Sequence, residues 1–476
     1  MNHINSTGSP ADLSARDLHE RYRDGSLSPV DVVRSVLDRI EACEPALHAT
    51  YAISADAALA EARASETRWR GNASLGPLDG VPVTVKENVA SKGTPVPLGS
   101  AASDLVPAED DAPPMARLRE AGAILVTKTT MPDFGLLAAA PSSFHALTRN
   151  PWDLSRTPGG SSSGAAAAAA AGYGPLHIGT DIGGSIRIPA GFCGVFGLKP
   201  SWGRVPHLNP YFLRVTGPIT REVADAAKMM EVLSLPDERD YMSLPYQPLP
   251  WSDLAPTDLR GLRLALLLDA GSDLAVDPEV VAAVSGAARI LEAQGATIVP
   301  VDNWVEDEMR QGFSTFMHIR AAADLEELRP EQQQKLHPII REAIARQPEI
   351  DAKALHRAQR SVLAMKQRTT QVSAGFDFVL SPVSPGPAFA AELWCADPEI
   401  GIVSDTVFTS VHNVSGQPAA SITCGYTKAG LPIGLQIAGR RFDDVGVLRL
   451  SRAWELLRPE PRAWPTQQVI RSAAMT

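Results

Sequence analysis

Apolar residues recur every three to four positions through Asp12–Asp24 and Pro29–Cys43, the spacing of one buried helical face, and Ser28-Pro29 supplies a start signal for the second stretch. Ser54–Arg70 is rich in alanine, glutamate and arginine and predicts a third helix with Ser54 as its N-cap. The period then changes. Gly80-Val-Pro-Val-Thr-Val85 reads as a short buried strand ending at Lys86, followed by a helix at Pro114–Ala121 and a strand at Ala123–Thr127. Further apolar segments at Leu262–Leu268, Thr297–Val301, Phe378–Leu380 and Ala420–Cys424 alternate with helical stretches. That alternation predicts an α/β fold whose helices cover a largely buried sheet. Asp302–Ser373 breaks the pattern: polar, glutamine-rich and mostly helical, it reads as an inserted helical layer.

Two glycine-rich loops interrupt these elements. Thr157-Pro-Gly-Gly-Ser-Ser-Ser-Gly164 is answered by Gly179-Thr-Asp-Ile-Gly-Gly-Ser-Ile-Arg187, and Ala165–Ala171, a strongly helix-favouring run, lies between them. Glycine lets backbone N–H groups come close to a ligand, so a serine among them can act as a nucleophile beside its own oxyanion donors. Such a serine needs a base. His145, His177 and His412 are the histidines nearest these segments, and each reads as a hydrogen-bonded structural residue. Gly160-Ser-Ser162-Ser-Gly164 fits the Gly-x-Ser-x-Gly hydrolase elbow, which would make the protein an esterase using Ser162. The elbow requires a strand leading into the serine, and Asn150–Pro158 is loop sequence. Lys86 is the other candidate, because a lysine desolvated at the end of a buried strand loses its proton well below its usual pKa of about 10.4. The competing reading of Lys86 is an ion pair with Glu87.

Composition narrows the partners. The 476 residues are 44% hydrophobic and 21% charged, enough for a large core in an ordinary globular protein. A net charge of −10 argues against nucleic acid or an anionic membrane. Cys43, Cys193, Cys395 and Cys424 form no Cys-x-x-Cys pair and read as reduced thiols of a cytoplasmic protein. The first ten residues lack the basic and apolar regions of a signal peptide, and no apolar run is long enough for a bilayer. Cysteine and histidine show no clustered ligand spacing, so neither a metal nor a cofactor is expected.

The ordered motifs resemble the amidase signature family, serine amidohydrolases with a Ser–cisSer–Lys triad. The likeness is carried by Gly80–Asn88, Asn150-Pro-Trp-Asp153, Gly159–Gly164 and Gly179–Ala190. Phe192–Pro200, Gly217–Arg221, Asn413–Pro418 and Gly430–Gly439 continue it, so that it spans roughly residues 10 to 460. It implies a single domain built on a large mixed sheet with helices on both faces. Residues 1–75 would be an N-terminal helical segment packed on the core and 76–225 the signature core. Residues 226–375 would be an α/β continuation with the helical insert at the substrate entrance, and 376–476 the rest of the same domain.

By the same resemblance Ser185 is the nucleophile, Ser161 the bridging serine after a cis Gly160–Ser161 bond, and Lys86 the base. The backbone N–H groups of Ile182, Gly183, Gly184 and Ser185 would form the oxyanion hole, with Ser162, Thr180, Asp181 and Arg187 in support. Asp133 and Phe134 match a segment beside the substrate pocket. Ser143-Phe144-His145 departs from the family, which has glycine after the phenylalanine, and so places Phe144 and His145 near the pocket. Trp304, Phe313, Phe316 and Met317 could line an apolar entrance, though an apolar helical stripe also suits a core. The implied activity is hydrolysis of a small amide, anilide or carbamate through an acyl-enzyme, with esters and urethanes within reach of the same triad. The partner would be that small molecule alone, and a homodimer is compatible. The alternatives are a glutaminase-like subunit of a transamidation complex, which needs partner chains, an ammonia channel and tRNA, and a non-catalytic binding scaffold. Retention of Lys86, Ser161 and Ser185 speaks against the scaffold.

Overall fold

The computed structural model describes residues 9–208, 210–255, 257–271, 274–345, 351–465 and 470. Eleven strands form one sheet: β1 (Thr50–Ile53), β2 (Pro82–Lys86), β3 (Ile124–Thr129), β4 (Leu176–Asp181), β5 (Phe196–Lys199), β6 (Val215–Thr220), β7 (Arg263–Leu267), β8 (Thr297–Val301), β9 (Phe378–Pro382), β10 (Ala419–Tyr426) and β11 (Pro432–Gly439). Their order is β1-β3-β2-β4-β6-β5-β10-β11-β9-β7-β8. β2 is parallel to β3 and β4, and β7 to β8 and β9, while the centre from β4 through β6, β5, β10 and β11 is antiparallel. The sheet is therefore mixed, in a single α/β domain.

Most expected elements form with shifted ends. The first helix starts at Ala15, because the Ser14 hydroxyl caps it by accepting from the Asp17 N–H, and Pro10–Asp12 is a separate 3-10 turn. The Ser28 hydroxyl accepts from Val30 N–H, and that helix continues through Pro45 to Leu47. Ser54 occupies the cap position of the Ala55–Arg70 helix but makes no side-chain cap bond. Strands β4, β5, β6 and β11 carry too much Gly, Pro, Thr and Lys for an apolar run to reveal them. All four are buried throughout, and pairing on both sides satisfies their polar backbone.

Strand periodicity sets the site. Val83 and Val85 of β2 face the main hydrophobic core with Leu176 and Ile178 of β4. The alternate residue Thr84 faces the other way, bonded to His177 Nδ1 at 2.8 Å, and Lys86 follows it by the same period. Against that side packs the helix Ser163–Ala171, every residue of which is buried. Ala165, Ala166, Ala169 and Ala170 meet Ile186, Ala190 and Ile219, whereas Ala167, Ala168 and Ala171 meet Val36, Ile40 and Leu47. A helix apolar on all sides belongs in an interior, and methyl-sized side chains let several elements close on it. The Asp302–Ser373 stretch contains helices Asp307–Glu326, Pro330–Gln333, Pro338–Ala345 and Ala352–Ser373.

Gly164, in the first turn of the alanine helix, is fixed by close approach. A Cβ there would lie 2.2 Å from the Ala49 carbonyl oxygen and 2.5 Å from Thr130 N. Helix propensity alone favours Gly→Ala by about 1 kcal/mol. Here Gly164→Ala is expected to destabilise by about 1–3 kcal/mol through overpacking. An equilibrium denaturant titration checks the sign, and a raised midpoint would refute this account of the packing.

Candidate active site

Lys86 ends β2 fully buried, with its Nζ 2.8 Å from Ser161 Oγ, 3.1 Å from Ser162 Oγ and 3.1 Å from Thr180 Oγ1. Each partner is a hydroxyl. Burial lowers the amine pKa to about 7, even though the charges of Asp181 and Glu87 act to raise it. The expected alternative, a Lys86–Glu87 ion pair, does not form. The Glu87 carboxylate accepts from Met131 N–H at 3.1 Å and lies 3.0 Å from His145 Nε2. Burial raises the Glu87 carboxyl, against the opposing pull of His145.

The Gly160–Ser161 bond is cis, and Ser161 is 4% exposed. Ser162 precedes the alanine helix in a loop, with no strand leading into it, and is fully buried. Its hydroxyl donates to the Thr180 carbonyl at 3.2 Å and accepts from the Thr180 N–H at 3.3 Å. Both features oppose an elbow at Ser162. The Ser162 N–H donates to the Ser185 carbonyl at 3.1 Å, which ties the two glycine loops together. The Ser185 side chain is half-buried, and among the described residues no hydrogen bond joins its hydroxyl to Ser161.

A buried network fixes the second loop. Asp181 accepts from the Gly184 N–H at 2.8 Å, the Ile186 N–H at 3.1 Å and Arg187 Nε and Nη2 at 3.0 Å each. Burial would raise the Asp181 carboxyl, but Arg187 and the Asn413 amide hold it well below the usual carboxylate range. Arg187 also donates to the Thr409 carbonyl, to Gln436 Oε1 and to Asn413 Oδ1. One consequence corrects the expected donor set. Gly184 N–H is held by Asp181, so Ile182, Gly183 and Ser185 remain as the backbone donors of the loop.

A cavity of about 160 Å³ opens over Gly160, Ile182, Gly183 and Ser185. Its far wall brings Phe134, Leu137, Phe313, Met317, Ile340 and Trp394 from three distant parts of the chain. Gly135 also borders it with φ 68°, and a Cβ there would meet Ser161 Oγ at 3.2 Å. Five residues expected at the pocket or its entrance need correction. Asp133 is fully buried and serves the loops, accepting from Ser100, Ser143 and His337 N–H. Phe144 and His145 pack on Tyr51 and on each other, away from the cavity, with His145 answering Glu87. Phe316 packs on Phe212, and it is Phe313 and Met317 of the same helix that face the cavity. Trp304 is buried with its Nε1–H on Thr369. His177 is likewise structural: burial lowers its pKa to about 3, and its Nε2 contacts the Gly174 carbonyl.

Sequence reasoning misses Asn88, Thr409, Asn413 and Gln436, although Asn88, Asn413 and Gln436 lie inside the motifs quoted above. Asn88 Nδ2 donates to Thr180 Oγ1 at 3.0 Å, and Thr409 Oγ1 donates to the Gly183 carbonyl at 2.5 Å. An amide inside an otherwise apolar strand, as at Gln436, is the available signal. Among the described residues no helix is long and apolar enough to cross a membrane.

Known proteins share this architecture. A family model described as Amidase matches residues 31–448. A glutamyl-tRNA(Gln) amidotransferase subunit of Myxococcus xanthus (strain DK1622) is 35% identical, over 93% of this chain and 97% of that protein. The same subunit of Chloroflexus aurantiacus (strain ATCC 29366 / DSM 635 / J-10-fl) is 34% identical over 98% of each. Among solved structures, a bacterial aryl acylamidase of the amidase signature family superposes with a TM-score of 0.87 at 28% identity, covering 97% of this chain and 98% of that one. A 6-aminohexanoate cyclic dimer hydrolase complexed with substrate gives 0.83 at 27% identity, covering 94% and 98%. With the model match over most of its length and relatives above 30% identity, the chain belongs to the amidase family.

Proposed function

We propose that this chain is a stand-alone amidohydrolase that cleaves the C–N bond of a small amide, anilide or carbamate through a Ser185 acyl-enzyme. The observation that carries the reading is a fully buried lysine, brought to about pKa 7, that touches hydroxyls and no carboxylate. Lys128 and Lys199 are also buried and lowered to about 7, but each contacts a backbone carbonyl, whereas the Lys86 amine meets only hydroxyls, one of them on Ser161 next to the cavity-lining Gly160. Neutral Lys86 Nζ takes the proton of Ser161 Oγ, which takes that of Ser185 Oγ as the latter attacks the substrate carbonyl carbon. Negative charge moves to the carbonyl oxygen, where the N–H groups of Ile182, Gly183 and Ser185 meet it. As the C–N bond breaks, the proton returns through Ser161 to the leaving nitrogen, which avoids expelling an amide anion. Water, deprotonated by the same relay, then attacks the ester and releases the acid and Ser185.

The apolar far wall supports an aryl or alkyl substrate portion. A second reading, a subunit of an amidotransferase, rests on the 35% identity to that protein. It fits the cavity less well. Free glutamine brings an ammonium, and the described lining of this cavity contains no Asp or Glu to receive it. A hydrolysis panel of anilides, primary amides, carbamates, esters and glutamine, run on the purified chain, separates the readings. Turnover of an anilide or carbamate well above glutamine is expected, and glutamine as the sole substrate would favour the amidotransferase reading.

Ser185→Ala is expected to abolish covalent labelling by a serine-directed fluorophosphonate and to reduce amide turnover by about 10³-fold or more. Labelling that persists at Ser162 would overturn the assignment.

The pH dependence tests the base. Lys86 works only when neutral, so kcat/KM is expected to rise with pH through about 7 and level off above it. Lys86→Arg, permanently charged, should lose activity at every pH. A rate independent of pH between about 5 and 9, the range spanning that pKa, would remove Lys86 from the relay.

A further inference from the structure

A second cavity, about 510 Å³, lies beside the first and is lined by Pro210, Tyr211, Arg214, Arg239, Tyr241, Arg320 and Asp324. Arg320 lines both cavities, so the two meet at its side chain. Sheet register brings Arg214 to the same place. Asp181, the last residue of β4, pairs antiparallel with Val215, the first residue of β6. The chain therefore leaves β4 at Ile182, on the oxyanion loop, where it enters β6 from Arg214.

The arginines differ in one respect. Arg239 is bound by Asp237 at 2.9 and 2.7 Å, and this bond raises its pKa. Arg320 pairs with Asp324 at 3.4 Å and stacks over the Tyr211 ring at 4.2 Å. Arg214 has the Tyr211 ring, 6.0 Å away, and among the described residues its guanidinium makes no ion pair or side-chain hydrogen bond, the Asp324 charge acting on it only from a distance. Burial, with Arg320 alongside, lowers it to about 10, the opposite direction from Arg239. A partly buried guanidinium turned to a cavity without a carboxylate in contact is a binding charge open to an anion. The one carboxylate lining this cavity, Asp324, already answers Arg320.

We propose that this second cavity is the subsite for a carboxylate carried on the substrate, with Arg214 as its charge partner and the phenol groups of Tyr211 and Tyr241 at its rim. The inference rests on the amidohydrolase reading and narrows it: the substrate is an amide or anilide with an apolar body in the first cavity and an acid group beyond Arg320. Arg214 touches the substrate's far end and takes no part in bond breaking.

The test compares matched substrates, the 4-nitroanilides of glutaric and adipic half-acids against their methyl esters, and acetylated 4-aminobenzoate against its methyl ester. A preference of about tenfold or more in kcat/KM for the acid member, carried by KM, is expected in at least one series. In Arg214→Met the acid-to-ester ratio should fall to near one, while Arg214→Lys should keep part of the preference. Thermal melts show whether both variants are folded. Equal treatment of acid and ester by the wild-type protein, or a preference that survives Arg214→Met, would overturn the proposal. Calorimetric titration with glutarate and with inorganic phosphate distinguishes the source of the anion. Glutarate binding weakened about tenfold or more by Arg214→Met supports the subsite. Phosphate binding without any acid preference among substrates would make it a free-anion site and overturn the substrate assignment. If no amide is hydrolysed at all, the activity reading fails, and the glutarate titration still decides for or against the carboxylate site.

Discussion

The structure turns on a lysine that is buried without a negative partner. An ammonium removed from water without a counter-ion is costly enough that the group gives up its proton instead. Around Lys86 Nζ stand Ser161, Ser162 and Thr180, whose hydroxyls can either donate or accept. That choice of residue type leaves the amine with a pKa of about 7, so that it is neutral and basic above that pH. A single carboxylate at the same distance would restore the charge and remove the base. The two nearest acids are accordingly engaged elsewhere: Glu87 with His145 and the Met131 N–H, Asp181 with Arg187, Asn413 and two backbone N–H groups.

The Asp181–Arg187 pair follows from the same constraint. A fully buried ion pair gains little stability over an apolar filling, but breaking one partner leaves an uncompensated charge. Here its worth is geometric. The carboxylate gathers the N–H groups of Gly184 and Ile186, and the guanidinium reaches Thr409, Asn413 and Gln436 from the C-terminal third of the chain. The loop carrying Ser185 is thereby set by elements more than two hundred residues away, which short-range turn preferences alone could not hold in place.

These relations mark how far the sequence can be read. Lys86, Ser161 and Ser185 are legible as candidates because their neighbours are glycines and a short apolar strand, features that survive without knowledge of packing, while their separate roles come from the resemblance. The α/β alternation is legible for strands with continuous apolar runs, such as β2 and β7, and illegible for β4 to β6, where Thr, Gly and Lys are buried by pairing and by the network. The pocket is the least legible part. Phe313 and Phe316 sit one helical turn apart on an almost evenly amphipathic helix, and only packing against Phe212 decides which of them faces the cavity. Motif proximity draws Asp133 and His145 toward the pocket, yet each is held by a polar partner outside it.

The division between legible and illegible parts also explains the likeness to known proteins. The chain gives a TM-score of 0.87 to an aryl acylamidase and is 35% identical to a subunit of an amidotransferase, so neither likeness by itself selects a substrate. The cavity lining away from Ser185 comes from Phe134, from the helix containing Phe313, Met317 and Arg320, and from Ile340 and Trp394. A segment that packs only its own face on the core can change residue by residue without disturbing Lys86. On the proposed reading, chemistry and selectivity are carried by different parts of the chain. The first part is compelled by the cost of burying one amine, and the second is free to follow whichever molecule the cavity must hold.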